Sequence, residues 1–155
     1  SLPPRIYEGN NIIDLFTNKL NPDSHEYFQS IKDLKVSAHF LIRRDGSLFQ
    51  FVSCLDRAWH AGESMHLGRP QCNDFSIGIE LEGLDGDVFT DAQYESLIAL
   101  LPVLRMQYPI QHVAGHEHIA PGRKKDPGKG FSWRFLQQSL GWPDEFFSTC
   151  DSTSA

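Results

Sequence analysis

The densest cluster of reactive side-chain types lies at residues 115–128, GHEHIAPGRKKDPG. His116 and Asp126 are ten residues apart, joined by a loop with Pro and Gly at its turns. A loop of that length can fold back and bring both side chains to one point. An imidazole and a carboxylate together suit Zn2+, which takes nitrogen and oxygen ligands in tetrahedral geometry; three protein ligands and one open position make such a site catalytic. Spacing alone favours a plainer reading, a solvated loop with a surface histidine. Two details raise the functional one. Lys124, two residues before Asp126, can point into the same space and stabilise an oxyanion there. Pro121 and Pro127 stiffen the loop, which limits the entropy lost in fixing a site. His118 is a rival ligand: on an extended segment it shares a side with His116, and spacing does not choose between them.

Glu80 is the second candidate. In Ser76–Glu82, Ile77, Ile79 and Leu81 face one way and Gly78, Glu80 and Glu82 the other. A carboxylate opposite the apolar face, with Gly78 leaving room beside it, can act as a general base or polarise a water. The plain reading is an exposed Glu on a half-buried sheet, and Glu82 and Asp85 are assigned to it. Trp59 follows Arg57 and precedes His60. An exposed Trp beside a pocket is a sugar platform, whereas a lone Trp is more often core. His39 sits in a strand and reads as a satisfied interior histidine; His25, His66 and His112 show no partner pattern.

The elements that must position these residues are legible in outline. Ile12, Ile13, Leu15, Phe16 and Leu20 recur at helical spacing. Asn21-Pro22-Asp23-Ser24 is a turn and helix cap, and His25–Lys32 a second short helix. Residues 36–43 alternate as a strand, and Asp45-Gly46 signals a hairpin to a second strand at 48–52. A short strand is expected at 57–61 and a long polar loop at 62–75. Thr90 and Gln93 form a capping box. It opens a helix to about Tyr108, with Tyr94, Leu97, Leu101 and Leu104 on one face and Pro109 as its stop. A short strand is expected at 112–116, and an amphipathic helix at 131–140 with Phe131, Phe135 and Leu136 apolar. The fold class is α/β (α+β): a mixed central sheet flanked by helices, in one domain.

The composition bounds the function. The 155 residues fit one domain, with the polar tail at 148–155 expected to be flexible. No apolar run approaches the roughly 20 residues of a membrane-spanning helix, so no membrane partner is expected. A net charge of -6 without a basic stripe argues against nucleic acid. Three cysteines, Cys54, Cys72 and Cys150, without a C-x-x-C pair read as free thiols in a reducing compartment. Cys54 and Cys72 are expected as buried small hydrophobes. No signal or transit peptide is visible.

VSAHFLIRRDGSLFQFV, RAWHAGES, CNDFSIGIELEG, TDAQY and GHEHIAPGRKKDPG occur in one order. Together they resemble the cytoplasmic AmpD-type anhydro-N-acetylmuramyl-L-alanine amidases, of the wider type-2 amidase and peptidoglycan recognition superfamily. The likeness spans Ser1 to about Leu140. It implies a Zn2+ hydrolase of the amide between anhydro-N-acetylmuramic acid and L-alanine, acting in cell-wall recycling and indirectly limiting β-lactamase induction. It implies His116 and Asp126 as zinc ligands and Lys124 as the group stabilising the tetrahedral intermediate. Glu80 would orient or deprotonate the water, with Trp59 and Arg123 along the substrate groove. The expected partner is an anhydromuropeptide, and the expected state a cytoplasmic monomer.

Three departures qualify the resemblance. In typical members a histidine at the end of a first strand, just before Ser-Leu-Pro-Pro, supplies the third zinc ligand; this sequence begins at Ser1. The domain at 1–147 is therefore expected to be incomplete at its N-terminus, with an open sheet edge or a gap in the core, and weak or inactive by itself. Gln71 stands where members often carry a basic residue that meets an acid group of the stem peptide. His118 replaces a small polar or acidic residue. The alternative reading is a muropeptide-binding module of the same fold that does not cut.

Overall fold

A computed structural model describes residues 1–147, so the expected flexible tail and Cys150 lie outside the described residues. The centre is a three-stranded sheet of β1 (Phe40–Ile42), β2 (Leu48–Gln50) and β5 (Ile79–Leu81), in the order β2-β1-β5. β1 pairs antiparallel with β2 and parallel with β5, placing Leu41 opposite both Phe49 and Glu80. The expected Asp45-Gly46 turn joins β1 to β2. Gly46 takes φ +84°, and the Asp45 carboxylate accepts the Ser47 N–H at 2.9 Å.

The strands are shorter than the alternating runs that announce them. The N–H groups of His39 and Phe40 both donate to the Gly78 carbonyl, so the regular ladder begins only at Phe40. All three β1 residues are buried, because protein covers the central strand on both faces.

Three helices follow the sequence signals closely. α3 (Asp91–Gln107) opens on the Thr90–Gln93 capping box and buries Tyr94, Leu97, Leu101 and Leu104. α1 (Asn11–Phe16) stops short of Leu20, because Thr17 closes it and Asn18 turns to φ +58°. α2 (Glu26–Ser30) uses His25 as its cap, the imidazole Nδ1 accepting the Tyr27 N–H at 3.0 Å.

Four expectations are corrected. Residues 57–61 form no strand; Ala58 and Ala61 are buried in a segment held through Ser37 and Asn73. The segment at 112–116 makes one bridge, Val113 to Phe147, and His116 begins a helical turn, α4 (His116–Ile119). The loop at 62–75 contains a small hairpin of β3 (Met65–His66) and β4 (Arg69–Pro70), closed by Leu67 and Gly68 at positive φ. The last helix, α5 (Trp133–Leu140), starts after its cap Ser132; Phe131 and Leu136 are buried, but Phe135 is 48% exposed.

α3, α5 and the sheet share one core of Ile42, Phe89, Tyr94, Leu97, Leu101, Phe131, Leu136 and Phe147, against which Ile79 and Leu81 pack. The mixed sheet flanked by helices is the expected class. Cys72 is buried as expected, whereas Cys54 is only half-buried. Among the described residues no helix is long and apolar enough to cross a membrane.

Candidate active site

The ten-residue loop does fold back. The Glu117 N–H donates to the Asp126 carbonyl at 2.8 Å, and the Ala120 carbonyl accepts from Arg123 and Lys124 N–H at 3.1 and 3.0 Å. These backbone ties place His116 Nδ1 3.0 Å from Asp126 Oδ2. The other ring nitrogen, Nε2, lies 2.9 Å from the Ala61 carbonyl oxygen. A carbonyl only accepts, so Nε2 carries a proton. Nδ1 then faces a carboxylate oxygen at hydrogen-bond distance, and two lone pairs there need a cation between them. Either a second proton or a metal ion serves.

The donor set fits zinc. Two ligands on a tetrahedral zinc with bonds of about 2.0–2.2 Å stand roughly 3.3–3.5 Å apart, a few tenths from the distance found. A metal-bound imidazole usually gives its other N–H to a carboxylate or backbone carbonyl, which is what Ala61 accepts here. Among the described residues no third His, Cys, Asp or Glu completes a metal-binding group. His118 does not join. It lies two residues along a helical turn, about 200° round from His116. Its Nδ1 accepts the Gly115 N–H at 2.8 Å and its ring packs on Trp133. The extended geometry that would have made it a rival is absent.

Glu80 and Lys124 share the electrostatics of this pair. Ile79 and Leu81 pack on the core, so Glu80 projects from the other face of β5. Burial pushes its carboxyl above the ordinary value; Asp126 adds to this, and His116 and Lys124 oppose it. Partial burial also works to raise Asp126, but the His116 hydrogen bond and charge prevail and hold it low. Glu82 is corrected. It is 4% exposed, pairs with Arg43 at 3.5 Å and accepts the Arg44 N–H at 2.9 Å, so it is structural. Asp85 is exposed, as expected.

Trp59 is 56% exposed, with the Arg57 guanidinium 4.1 Å over its ring, so it is not a core residue. Arg123 commits Nη2 to the carbonyls of Ala61 and Glu63, both at 2.6 Å, and Nε to Glu63 at 3.1 Å. Gln71 is exposed at φ +61°.

Two residues that sequence reasoning passed over lie beneath the site. Asn73 is buried and accepts the N–H groups of His60 and Ala61. His60 lies flat against Gly78, where a Cβ would come within 2.3 Å of its ring. The consecutive Trp59-His60-Ala61 and the glycine before Glu80 were the available signals, but nothing in their spacing pairs them. We expect Gly78→Ala to cost about 3 kcal/mol or more by overpacking, read by thermal unfolding. His60→Ala added to it should recover part of the loss, and a neutral Gly78→Ala would refute the contact.

Burial, helped by His39 and His116, lowers His60 to about 4 from 6.5. Between those values the unfolded chain holds more protons. Stability therefore rises with pH across that window and is lost on acidification. From pH 7 to 5 this contribution is about 2 kcal/mol. His60→Gln should flatten that part of the pH dependence of the unfolding midpoint; an unchanged slope would show that His60 is not its source.

The chain as a whole is similar to known proteins. The family model described as N-acetylmuramoyl-L-alanine amidase matches residues 11–129. The 1,6-anhydro-N-acetylmuramyl-L-alanine amidase AmpD of Enterobacter cloacae is 53% identical over 135 residues, covering 86% of this chain and 72% of that protein. A crystal structure of a selenomethionine derivative of AmpD superposes with a TM-score of 0.87 at 50% identity, covering 90% of this chain and 79% of that one. AmpDh3 from Pseudomonas aeruginosa, in complex with an anhydromuramic pentapeptide, gives a TM-score of 0.62 at 33% identity, covering 67% of this chain and 50% of that one. The chain belongs to the N-acetylmuramoyl-L-alanine amidase family and is an amide-hydrolysing enzyme of the AmpD kind.

Proposed function

We propose that the protein cleaves the amide between the lactyl group of anhydro-N-acetylmuramic acid and L-alanine, as a zinc enzyme of cytoplasmic cell-wall recycling. The observation that carries the reading is the 3.0 Å approach of His116 Nδ1 to Asp126 Oδ2, with Nε2 anchored on Ala61. The name carried by the Enterobacter cloacae relative and the peptide held by AmpDh3 support the substrate class. Removing such fragments would limit β-lactamase induction indirectly, since they act as the inducing signal. A net charge of -6 suits a monomeric enzyme with no nucleic-acid partner.

His116 and Asp126 would hold the zinc, which supplies Lewis acidity and brings the pKa of a water toward about 7. Glu80 orients the attacking water, takes its proton and later delivers it to the departing alanine amine. Lys124 faces the developing oxyanion with its ammonium group. Trp59 offers a ring face to the sugar. Arg123 lines the same groove with Nη1, the nitrogen outside its carbonyl contacts. Removing the platform in Trp59→Ala should raise KM about 2–10-fold with kcat little changed. Equal KM values would take Trp59 out of the groove.

A muropeptide-binding module that does not cut is the alternative outcome of the test. One experiment separates the two. Anhydro-N-acetylmuramyl-tripeptide is incubated with the protein and the products are identified by mass spectrometry. We expect cleavage at the lactyl–alanine amide, lost on chelation and restored by zinc. Bound but intact substrate on zinc-loaded protein would sink the amidase reading.

A further inference from the structure

Asn73 sits in the 3-10 turn Cys72–Asp74, and is 6% exposed. The turn is anchored on Ser64, whose carbonyl accepts the Gln71 N–H at 2.9 Å and whose Oγ accepts the Cys72 N–H at 3.1 Å, and the Asp74 N–H closes it on the Gln71 carbonyl at 2.9 Å. Its single carboxamide oxygen accepts two successive backbone N–H groups, His60 at 3.0 Å and Ala61 at 2.8 Å. Ala61 is itself 1% exposed, and its carbonyl takes the His116 Nε2–H at 2.9 Å. The chain of contacts therefore runs from Asn73 Oδ1, through the backbone of residue 61, to the imidazole. Asn73 itself takes no part in binding the metal, the water or the substrate.

We propose that Asn73 is a positioning residue of the amidase centre: by fixing the N–H groups of His60 and Ala61, it aims the Ala61 carbonyl that holds the His116 ring with Nδ1 toward Asp126. The inference rests on the reading of His116 as a zinc ligand. A carbonyl that wanders lets the ring swing or exchange its proton between nitrogens, and Nδ1 then no longer presents its lone pair beside Asp126 Oδ2. Arg123 braces the same carbonyl from outside, but it donates to the oxygen and does not hold the N–H side of the residue. Outer contacts that orient a ligating imidazole act on metal affinity as well as on rate.

Zinc affinity of the whole protein, measured by competition with a chromophoric chelator, tests this. Asn73→Ala should weaken zinc binding about 10–100-fold, and Asn73→Asp, which keeps the acceptor oxygen, should return it to within about threefold of the wild type. Unfolding midpoints are recorded alongside, because a merely structural role would lower them without moving the affinity of the folded protein. Should Asn73→Ala fail to fold, nitrogen NMR of the zinc-loaded wild type decides instead. The His116 proton is expected on Nε2; metal on Nε2 would overturn the inference. So would Asn73→Ala binding within twofold of the wild type, or Asn73→Asp no better than Asn73→Ala. Wild-type protein that binds no zinc would overturn the zinc assignment itself, and this inference with it.

Discussion

Glu80→Gln should lower kcat about 10²–10⁴-fold, the range for losing a positioned general acid–base, while KM and zinc affinity stay near the wild type. Gln has nearly the shape of Glu, so the packing of β5 is kept, but it accepts no proton. The size of the effect follows from where the strand puts the carboxylate. Ile79 and Leu81 turn into the core and Glu80 turns out on the opposite face, in register with Leu41. Burial there raises its carboxyl above the ordinary 4.5. A base with a raised pKa takes up the proton of an attacking water more readily. The sign of the pH effect is fixed by the same shift. The base works deprotonated, so kcat/KM should climb as pH rises through a value above 4.5, and this acid limb should vanish in Glu80→Gln. Steady-state kinetics across pH supply both readings. A loss below tenfold, with the limb intact, would make Glu80 a structural carboxylate like Glu82.

Lys124→Met should lower kcat about 10²–10³-fold, the effect of removing one group that stabilises a developing oxyanion. The stem of Met matches much of the lysine's length, so the change is mainly the loss of the ammonium. Lys124 leaves the loop two residues before Asp126, with its N–H on the Ala120 carbonyl, and its charge reaches both Glu80 and Asp126. Charge develops on the carbonyl oxygen in the transition state and hardly at all in the bound substrate, so the effect belongs in kcat. Lys124→Arg retains the charge but spreads it over a plane, and should recover only part of the rate. A rise in KM with kcat unchanged would instead assign Lys124 to substrate binding.

Residue types and their spacing were enough to specify the local geometry around these groups. Period-two alternation over 76–82 put Glu80 on the face opposite Ile79 and Leu81, the Asp45-Gly46 pair set the β1–β2 turn, and the Thr90–Gln93 box opened α3. Each depends on backbone preferences and hydrogen bonds within a few residues, which residue type controls directly. The reactive loop was visible as a composition, GHEHIAPGRKKDPG, and the likeness to a known family supplied roles for its residues.

Long-range packing sets which atoms of that loop face one another and what stands behind them. His116 Nε2 meets a carbonyl 55 residues away at Ala61, and Asn73 steadies that carbonyl's residue across 12 more. A helical turn removed His118 from contention, and the pairing of Glu82 with Arg43 and the Arg44 N–H buried a carboxylate that alternation had assigned to solvent. The choice of nitrogen, the burial of Glu82 and the packing of His60 on Gly78 all arise between segments distant in the chain. No local period records which segments meet; the packing of the folded chain sets those distances.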